Sequence, residues 1–259
     1  MTRVAVSGAA GRMGRLVCAA VDATDDLELA VRYDPASADE SVAGMPLAGM
    51  PVTDDPEAVA DCDVVVEFTH PDVVLDNLAR WHGFGLHAVV GTSGFDADRV
   101  EAVGALWGDG PARCLIVPNF SIGAVVAMRL AERAAPFFPV AEVIELHHDA
   151  KADAPSGTAI ATAQRIGAAA PEQRRRVEGE SSPPGALGAE VAGVRVHSIR
   201  LPGLVAHQEV LFGAPGETLS IRSDTTDRAA FIPGVLLAIR GVASLAEPVT
   251  VGLDGLLGL

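Results

Sequence analysis

Through the first half of the chain, short aliphatic runs alternate with helix-forming stretches, and every run ends in a polar or glycine-containing loop. Residues 3–7 (RVAVS), 27–33 (LELAVRY), 63–68 (DVVVEF), 87–90 (HAVV) and 114–117 (CLIV) read as strands. Several of these runs, DVVVEF above all, lack a polar face, which suits strands covered on both sides, and helix-forming segments separate the later ones. That combination predicts a parallel sheet with helical crossovers, because parallel neighbours cannot be joined by tight turns. The loops after the strands, at Asp34-Pro35, Thr69-His70-Pro71, Gly91 to Gly94 and Val117 to Phe120, would then share the carboxyl edge, where ligands of such sheets bind.

The first strand leads into Gly8-Ala9-Ala10-Gly11-Arg12-Met13-Gly14, followed by good helix formers from Arg15 to Ala23. Glycines in a strand-to-helix turn let backbone N–H groups and the helix N-terminus approach a pyrophosphate. The spacing is GxxGxxG rather than GxGxxG, and such a turn can also exist without a nucleotide. Asp34 ends the second strand 20 residues beyond Gly14, where a carboxylate can accept from adenosine ribose hydroxyls. It can equally start a turn with Pro35. Arg12 and Arg32 are cations within reach of a 2′-phosphate, so NADH and NADPH both remain open.

After Asn119 the pattern changes. A helix from about Gly123 to Ala135 stops at Pro136 and leads into an alternating strand, residues 141–147 (AEVIELH). Residues 171–193 read as an exposed excursion, with Arg174-Arg175-Arg176 at a solvated helix end. Strands at 195–200, 207–212 and 218–223 read as antiparallel because the connections are short. A final apolar helical stretch, residues 231–245, is suited to packing back on the first domain. The fold class is therefore α/β: a Rossmann-type dinucleotide-binding domain (residues 1–118 plus 228–259), with an inserted α+β domain (residues 119–227) containing a mixed or antiparallel sheet.

The stretch Glu145-Leu-His147-His148-Asp-Ala-Lys151-Ala-Asp153-Ala-Pro155-Ser156-Gly157-Thr158 combines three kinds of group. Histidine exchanges a proton near neutral pH, lysine offers a compact positive charge, and Ser156-Gly157-Thr158 before a helix presents amides and hydroxyls to an anion. Read functionally, it is a pocket for an anionic substrate. Read structurally, Asp153 and Ser156 cap a helix at residues 158–166. A metal is not expected, because adjacent histidines on an extended chain point to opposite faces and no HExxH or cysteine pair completes a ligand set.

Composition narrows the classes further. A formal charge of −15 with 19 basic residues disfavours nucleic acid, whose binding relies on clustered Lys and Arg. Cys18, Cys62 and Cys114 are far apart and odd in number, so buried thiols are expected rather than disulfides. No apolar run approaches the ~20 residues of a membrane span, and the N-terminal residues lack the pattern of a secretory signal; a cytoplasmic protein is expected.

Five segments together, residues 8–14 (GAAGRMG), 67–71 (EFTHP), 91–95 (GTSGF), 118–123 (PNFSIG) and 145–159 (ELHHDAKADAPSGTA), resemble in order the motifs of the dihydrodipicolinate reductase family across essentially the whole chain. The last is the most specific. Glu67 stands where the family often has Asp, Ser93 ends a GTS where GTT is common, and Pro35 occupies a place where some members carry Arg. The resemblance implies a reductase of the diaminopimelate and lysine route that uses NADH and/or NADPH to reduce 4-hydroxy-tetrahydrodipicolinate, assembled as a homotetramer through the inserted domain. It implies catalytic roles for His147 and Lys151, and substrate contacts from His148, Ser156, Gly157 and Thr158. Gly8, Ala9, Ala10, Gly11, Arg12, Met13, Asp34, Phe68, Gly91, Thr92, Ser93, Val117, Pro118, Asn119 and Phe120 would surround the dinucleotide. The alternatives are another Rossmann imine or amino-acid dehydrogenase, such as one acting on iminosuccinate, and a nucleotide sensor without catalysis. The dehydrogenase would need similar cations and is disfavoured by the segment from His147 to Lys151, whereas the sensor has no need for the His147, Lys151 and Thr158 constellation.

Overall fold

A computed structural model describes residues 1–35, 51–172 and 184–259. The chain divides into two compact units, Met1–Phe120 with Phe231–Gly258, and Ser121–Ala230. In chain order the elements of the first half are β1 (Thr2–Ser7), α1 (Arg12–Asp22), β2 (Leu27–Tyr33), β3 (Val64–Glu67), α2 (Val74–Gly83), β4 (His87–Val90), α3 (Ala97–Trp107) and β5 (Cys114–Ile116). There follow α4 (Ile122–Ala134), β6 (Val140–His147), α5 (Gly157–Ala169), β7 (Ala189–Val191), β8 (Val194–Arg200), β9 (Ala206–Ala214), β10 (Glu217–Thr225), α6 (Ile232–Gly241), β11 (Val249–Val251) and α7 (Asp254–Leu257).

The first unit is built on a six-stranded sheet of order β11-β5-β4-β3-β1-β2, with every pairing parallel. The middle stretches of its inner strands, such as residues 4–6, 64–66 and 88–90, are aliphatic because both faces are covered. Val4, Val6, Val64, Val66, Val89 and Leu115 pack with Val17, Cys18 and Val21 of α1 and with Val235, Ala238 and Ile239 of α6. On the opposite face Ala5, Val65, Ala88, Val90 and Cys114 pack with Leu78 and Trp81 of α2 and with Val103 and Trp107 of α3. The order steps from β1 outward to β2 and then reverses to β3, the kind of switch point where α/β sheets bind ligands. The C-terminal stretch supplies the expected helix, α6, and also a strand the sequence does not announce, β11, which pairs with β5. Three residues of VTV after a proline are too short to stand out as a strand.

The second unit holds a five-stranded mixed sheet of order β10-β9-β6-β8-β7. Alternation in β6 sends Ala141 and Val143 into a core with Ala159, Ala163 and Ile166 of α5. The expected β9–β10 hairpin is present, but β8 is not the neighbour of β9. Strand β6 lies between them, parallel to β8 and antiparallel to β9, so the connection after Arg200 passes over the end of β6, where Leu201 N–H donates to the His147 carbonyl. A short connection therefore does not make β8 and β9 neighbours. Within the expected excursion, Ala189–Val191 forms the edge strand β7 against β8; the expected Arg174 to Arg176 feature lies outside the described residues. All three cysteines are buried thiols, and burial pushes those of Cys18 and Cys62 up to about 11. No helix among the described residues is long and apolar enough to cross a membrane.

Candidate active site

At the carboxyl edge of the first sheet, β1 runs into the glycine turn. Gly8 has φ +81°, and a Cβ there would lie 2.3 Å from the Phe68 carbonyl oxygen. A Cβ on Gly14 would lie 2.0 Å from the Gly8 oxygen, so close chain approach makes both glycines obligatory. The turn is tied to β2 by Gly8 and Ala9 N–H bonds to the Tyr33 carbonyl at 2.9 and 3.1 Å, and by Ala10 N–H donating to Asp34 Oδ2 at 3.0 Å. Asp34, read from the sequence as a ribose contact, thus also braces the glycine turn. Arg32, by contrast, is buried with its guanidinium beside Cys18, while Arg12 is exposed at the turn.

Helix α1 begins at Gly11 with no side-chain cap and no acidic residue in its first turn, whereas Asp96, Ser121 and Ser156 cap α3, α4 and α5 with side-chain oxygens. First-turn amides have no acceptor within their own helix. An uncapped, glycine-lined N-terminus is therefore suited to the pyrophosphate of a dinucleotide.

The neighbouring loops are locked together. Gly91 sits against the Phe68 and Phe120 rings, whose centroids are 5.5 Å apart; a Cβ on Gly91 would lie 2.1 Å from the Phe68 ring. Thr92 Oγ1 accepts from Thr69 N–H at 2.9 Å. Beneath them Glu67, wholly buried, accepts from Trp81 Nε1 at 2.8 Å, from Asn77 Nδ2 at 3.2 Å and from the Thr69 hydroxyl. Ala9, Val117 and Phe120 are buried in the core, so it is chiefly their backbone that a ligand could meet; Pro118 and Ser93 are exposed, and Met13 and Asn119 partly so.

In the second unit, β6 ends its inward row with Glu145 and His147. Glu145 is wholly buried. Its Oε2 lies 2.5 Å from His147 Nδ1 and accepts from Arg200 Nη1 at 2.9 Å. Its Oε1 accepts from Arg200 Nη2 at 2.9 Å and from Ser156 N–H at 3.2 Å. Burial works to raise the Glu145 pKa, but hydrogen bonds from His147, Arg200 and Ser198 outweigh it and hold the carboxyl down at about 2. Arg200 also donates to the carbonyls of Lys151 at 3.2 Å and Asp153 at 2.5 Å, pinning the loop between β6 and α5.

Within that loop Lys151 N–H donates to the His148 carbonyl, and Lys151 Nζ lies 2.7 and 2.8 Å from the two oxygens of Asp153. Ser156 Oγ accepts from Ala159 N–H at 3.2 Å, so its hydroxyl is a helix cap as the structural reading anticipated. Gly157 and Thr158 follow as the first residues of α5, and a Cβ on Gly157 would meet open space. The loop thus brings His147, Lys151 and the start of α5 onto one framework, whose hubs are two residues not singled out from the sequence. Glu145 could have been found: a carboxylate in the inward row of an alternating strand requires partners. Arg200 could not, since only the parallel pairing of β6 with β8 puts it opposite His147.

Comparison with known proteins agrees with this architecture. The N-terminal domain of dihydrodipicolinate reductase matches residues 2–120 and its C-terminal domain residues 123–257. The chain is 51% identical to the 4-hydroxy-tetrahydrodipicolinate reductase of Nocardia farcinica, over 99% of each chain. It is 50% identical to that of Thermobifida fusca, over the full length of both. A dipicolinate-bound dihydrodipicolinate reductase from Paenisporosarcina sp. TG-14 superposes with a TM-score of 0.84 at 35% identity, covering 98% of this chain and 99% of that one. An apo scyllo-inositol dehydrogenase from Lactobacillus casei, at 13% identity and a TM-score of 0.62, shares the fold alone. With both halves matched and relatives this similar along their whole length, the chain belongs to the dihydrodipicolinate reductase family.

Proposed function

We propose that this protein reduces 4-hydroxy-tetrahydrodipicolinate to tetrahydrodipicolinate with a nicotinamide cofactor, the 4-hydroxyl leaving as water, a step of the diaminopimelate route to lysine. The observation that carries the reading is the pinned loop of the second unit, in which a buried carboxylate grips one ring nitrogen of His147 while Lys151 and the start of α5 share the same framework. A sensor or a generic dinucleotide-binding fold has no use for that arrangement.

The cofactor, when bound, supplies the hydride. The α1 N-terminus and the backbone of Gly8 to Met13 hold its pyrophosphate, Asp34 receives a ribose, and the loops at Phe68, Gly91 to Ser93 and Val117 to Phe120 wall its nicotinamide half. Gly157 and Thr158 bind a substrate carboxylate at the start of α5 and Lys151 balances its charge, with Asp153 giving up part of its hold on the ammonium. His148 frames the substrate, and Ser156, buried beneath the loop, supports that site through its cap on α5 and its bond to Glu145. His147 gives the single proton that a two-electron reduction consumes, from Nε2, since Nδ1 faces Glu145. NADH is favoured over NADPH: Arg32 is turned inward and Pro35, directly after Asp34, offers no cation to a 2′-phosphate, which leaves Arg12 as the exposed cation of the turn.

The same reading includes a homotetramer. The face of the second sheet away from its helices exposes Ile199 and Leu211 among paired charges such as His197 with Glu142 and Arg222 with Glu209, a surface suited to sheet-to-sheet assembly. Light scattering at assay concentration would return a monomer mass if this is wrong.

The deciding assay follows NADH and NADPH absorbance separately while a synthase produces the substrate from pyruvate and aspartate semialdehyde. Synthase-dependent oxidation, faster with NADH, is expected. Absence of oxidation with either cofactor refutes the reading, and oxidation driven by iminosuccinate instead would place the chain with the amino-acid dehydrogenases.

A further inference from the structure

We infer that Glu145, braced by Arg200, is a positioning residue that confines proton exchange at His147 to Nε2 and does so independently of the charge on the ring. The inference rests on the reading of His147 as the proton donor. An ionised carboxylate can only accept, so the ring nitrogen facing it must carry a hydrogen in both the neutral and the charged imidazole. With Glu145 Oε2 at 2.5 Å from Nδ1, the proton that comes and goes is the one on Nε2.

Arg200 supplies the second half of the device. A buried carboxylate facing only a histidine would lose its counter-charge each time the ring gave up its proton, and that loss would oppose the transfer. Here both carboxylate oxygens are held by the guanidinium at 2.9 Å, so Glu145 keeps a permanent cation while His147 cycles. Among the described residues, Glu145 of β6 is bonded to the ring, and the strands on either side present Arg200 of β8 and the uncharged Ala206 of β9 in register with His147. In the adjoining loop Lys151 is paired with Asp153, and the backbone carbonyls of both residues are bonded to Arg200. One guanidinium therefore holds the donor's orienting carboxylate and the loop that carries the substrate-binding lysine.

The test uses the full-length enzyme in the coupled assay with Glu145→Asp, His147→Gln and the double variant. Aspartate keeps a charge for Arg200 but withdraws the carboxylate from the ring by one methylene. His147→Gln should lower kcat by ~10²–10⁴-fold, the range for loss of a general acid. Glu145→Asp should lower kcat by about 10²-fold, the scale of a 1 Å misplacement, with little change in KM. In the His147→Gln background the same substitution should cost nothing further, because it acts through the ring. An equal loss in both backgrounds, or a loss confined to KM, would show that Glu145 merely supports the fold and would overturn the inference. Near-normal turnover of His147→Gln would instead remove the proton-donor reading itself. Independently of any variant's folding, ring nitrogen shifts of ¹⁵N-histidine-labelled wild-type protein should show neutral His147 protonated at Nδ1; a ring protonated at Nε2 would refute the proposal.

Discussion

Among the described residues, each unit of this protein buries one glutamate completely, and the two are accommodated by different chemistry. Glu67, at the end of β3, is surrounded by uncharged donors: the indole of Trp81, the amide of Asn77 and the hydroxyl of Thr69. Asn77 and Trp81 are four residues apart on α2 and so lie on one face of that helix. Glu145, at the end of β6, has a bidentate arginine and a histidine. Around Glu67 the hydrogen bonds fasten a helix to two loops and involve no group that changes charge. Around Glu145 they fasten a loop as well, but one partner is a residue whose charge must change during the proposed reaction. A permanent cation is what lets the second site tolerate that change.

The sharpest way to break the contrast is to remove the cation. Arg200→Met should cost ~3–5 kcal/mol in equilibrium unfolding, because it strands a buried carboxylate. Hydrogen exchange over β6 and β8 would locate the loss, since both tryptophans belong to the first unit. A cost within the range of an ordinary surface substitution would mean that the two glutamates do not differ in kind.

Acid should separate them next. The Glu145 carboxyl is held at about 2 in the folded protein against an ordinary value of 4.5. A folded pKa below the unfolded one contributes stability that is fully present above the unfolded value and is lost as pH falls through the folded one. Protection of β6 should therefore weaken between pH 4.5 and about 2. Arg200→Met should flatten that dependence, and a slope unchanged by the substitution would assign it to other carboxylates.

Glu67→Gln should cost less, ~1–3 kcal/mol, as the new amide turns one donor toward another instead of accepting it. Tryptophan fluorescence would report it directly, since the Trp81 indole is one of the donors. Ser156→Ala should cost least, ~1 kcal/mol for a lost helix cap, because the residue reaches Glu145 through its backbone N–H rather than its hydroxyl. Denaturant midpoints would rank these last two, and a larger loss for Ser156→Ala would mean that the hydroxyl does more than cap α5.

Much of the fold was legible because it rests on local periodicity. Unbroken aliphatic runs such as residues 64–66 identify strands covered on both faces, and the glycine turn after β1 identifies where a helix begins. The motif at residues 145–159 pointed to the loop with His147 and Lys151. What local pattern could not convey was which strands are neighbours. Residues 200 and 206 are joined by a short connection yet flank β6 from opposite sides, because both are in register with His147. The same limit hid β11 and the edge strand β7, whose short runs become strands only by pairing with β5 and β8.

The sequence by itself determined the kinds of group available at each strand end: glycines and an aspartate in the first unit, histidines, a lysine and a capped helix in the second. Only the tertiary structure decided their partners. It turned Arg32 inward beside Cys18, set Asp34 against the amide of Ala10, and brought Arg200 across 55 residues of chain to the Glu145 carboxylate. The reason is physical: strand periodicity depends on neighbours in the chain, whereas the countercharge of a buried carboxylate comes from whichever strand the sheet topology lays beside it.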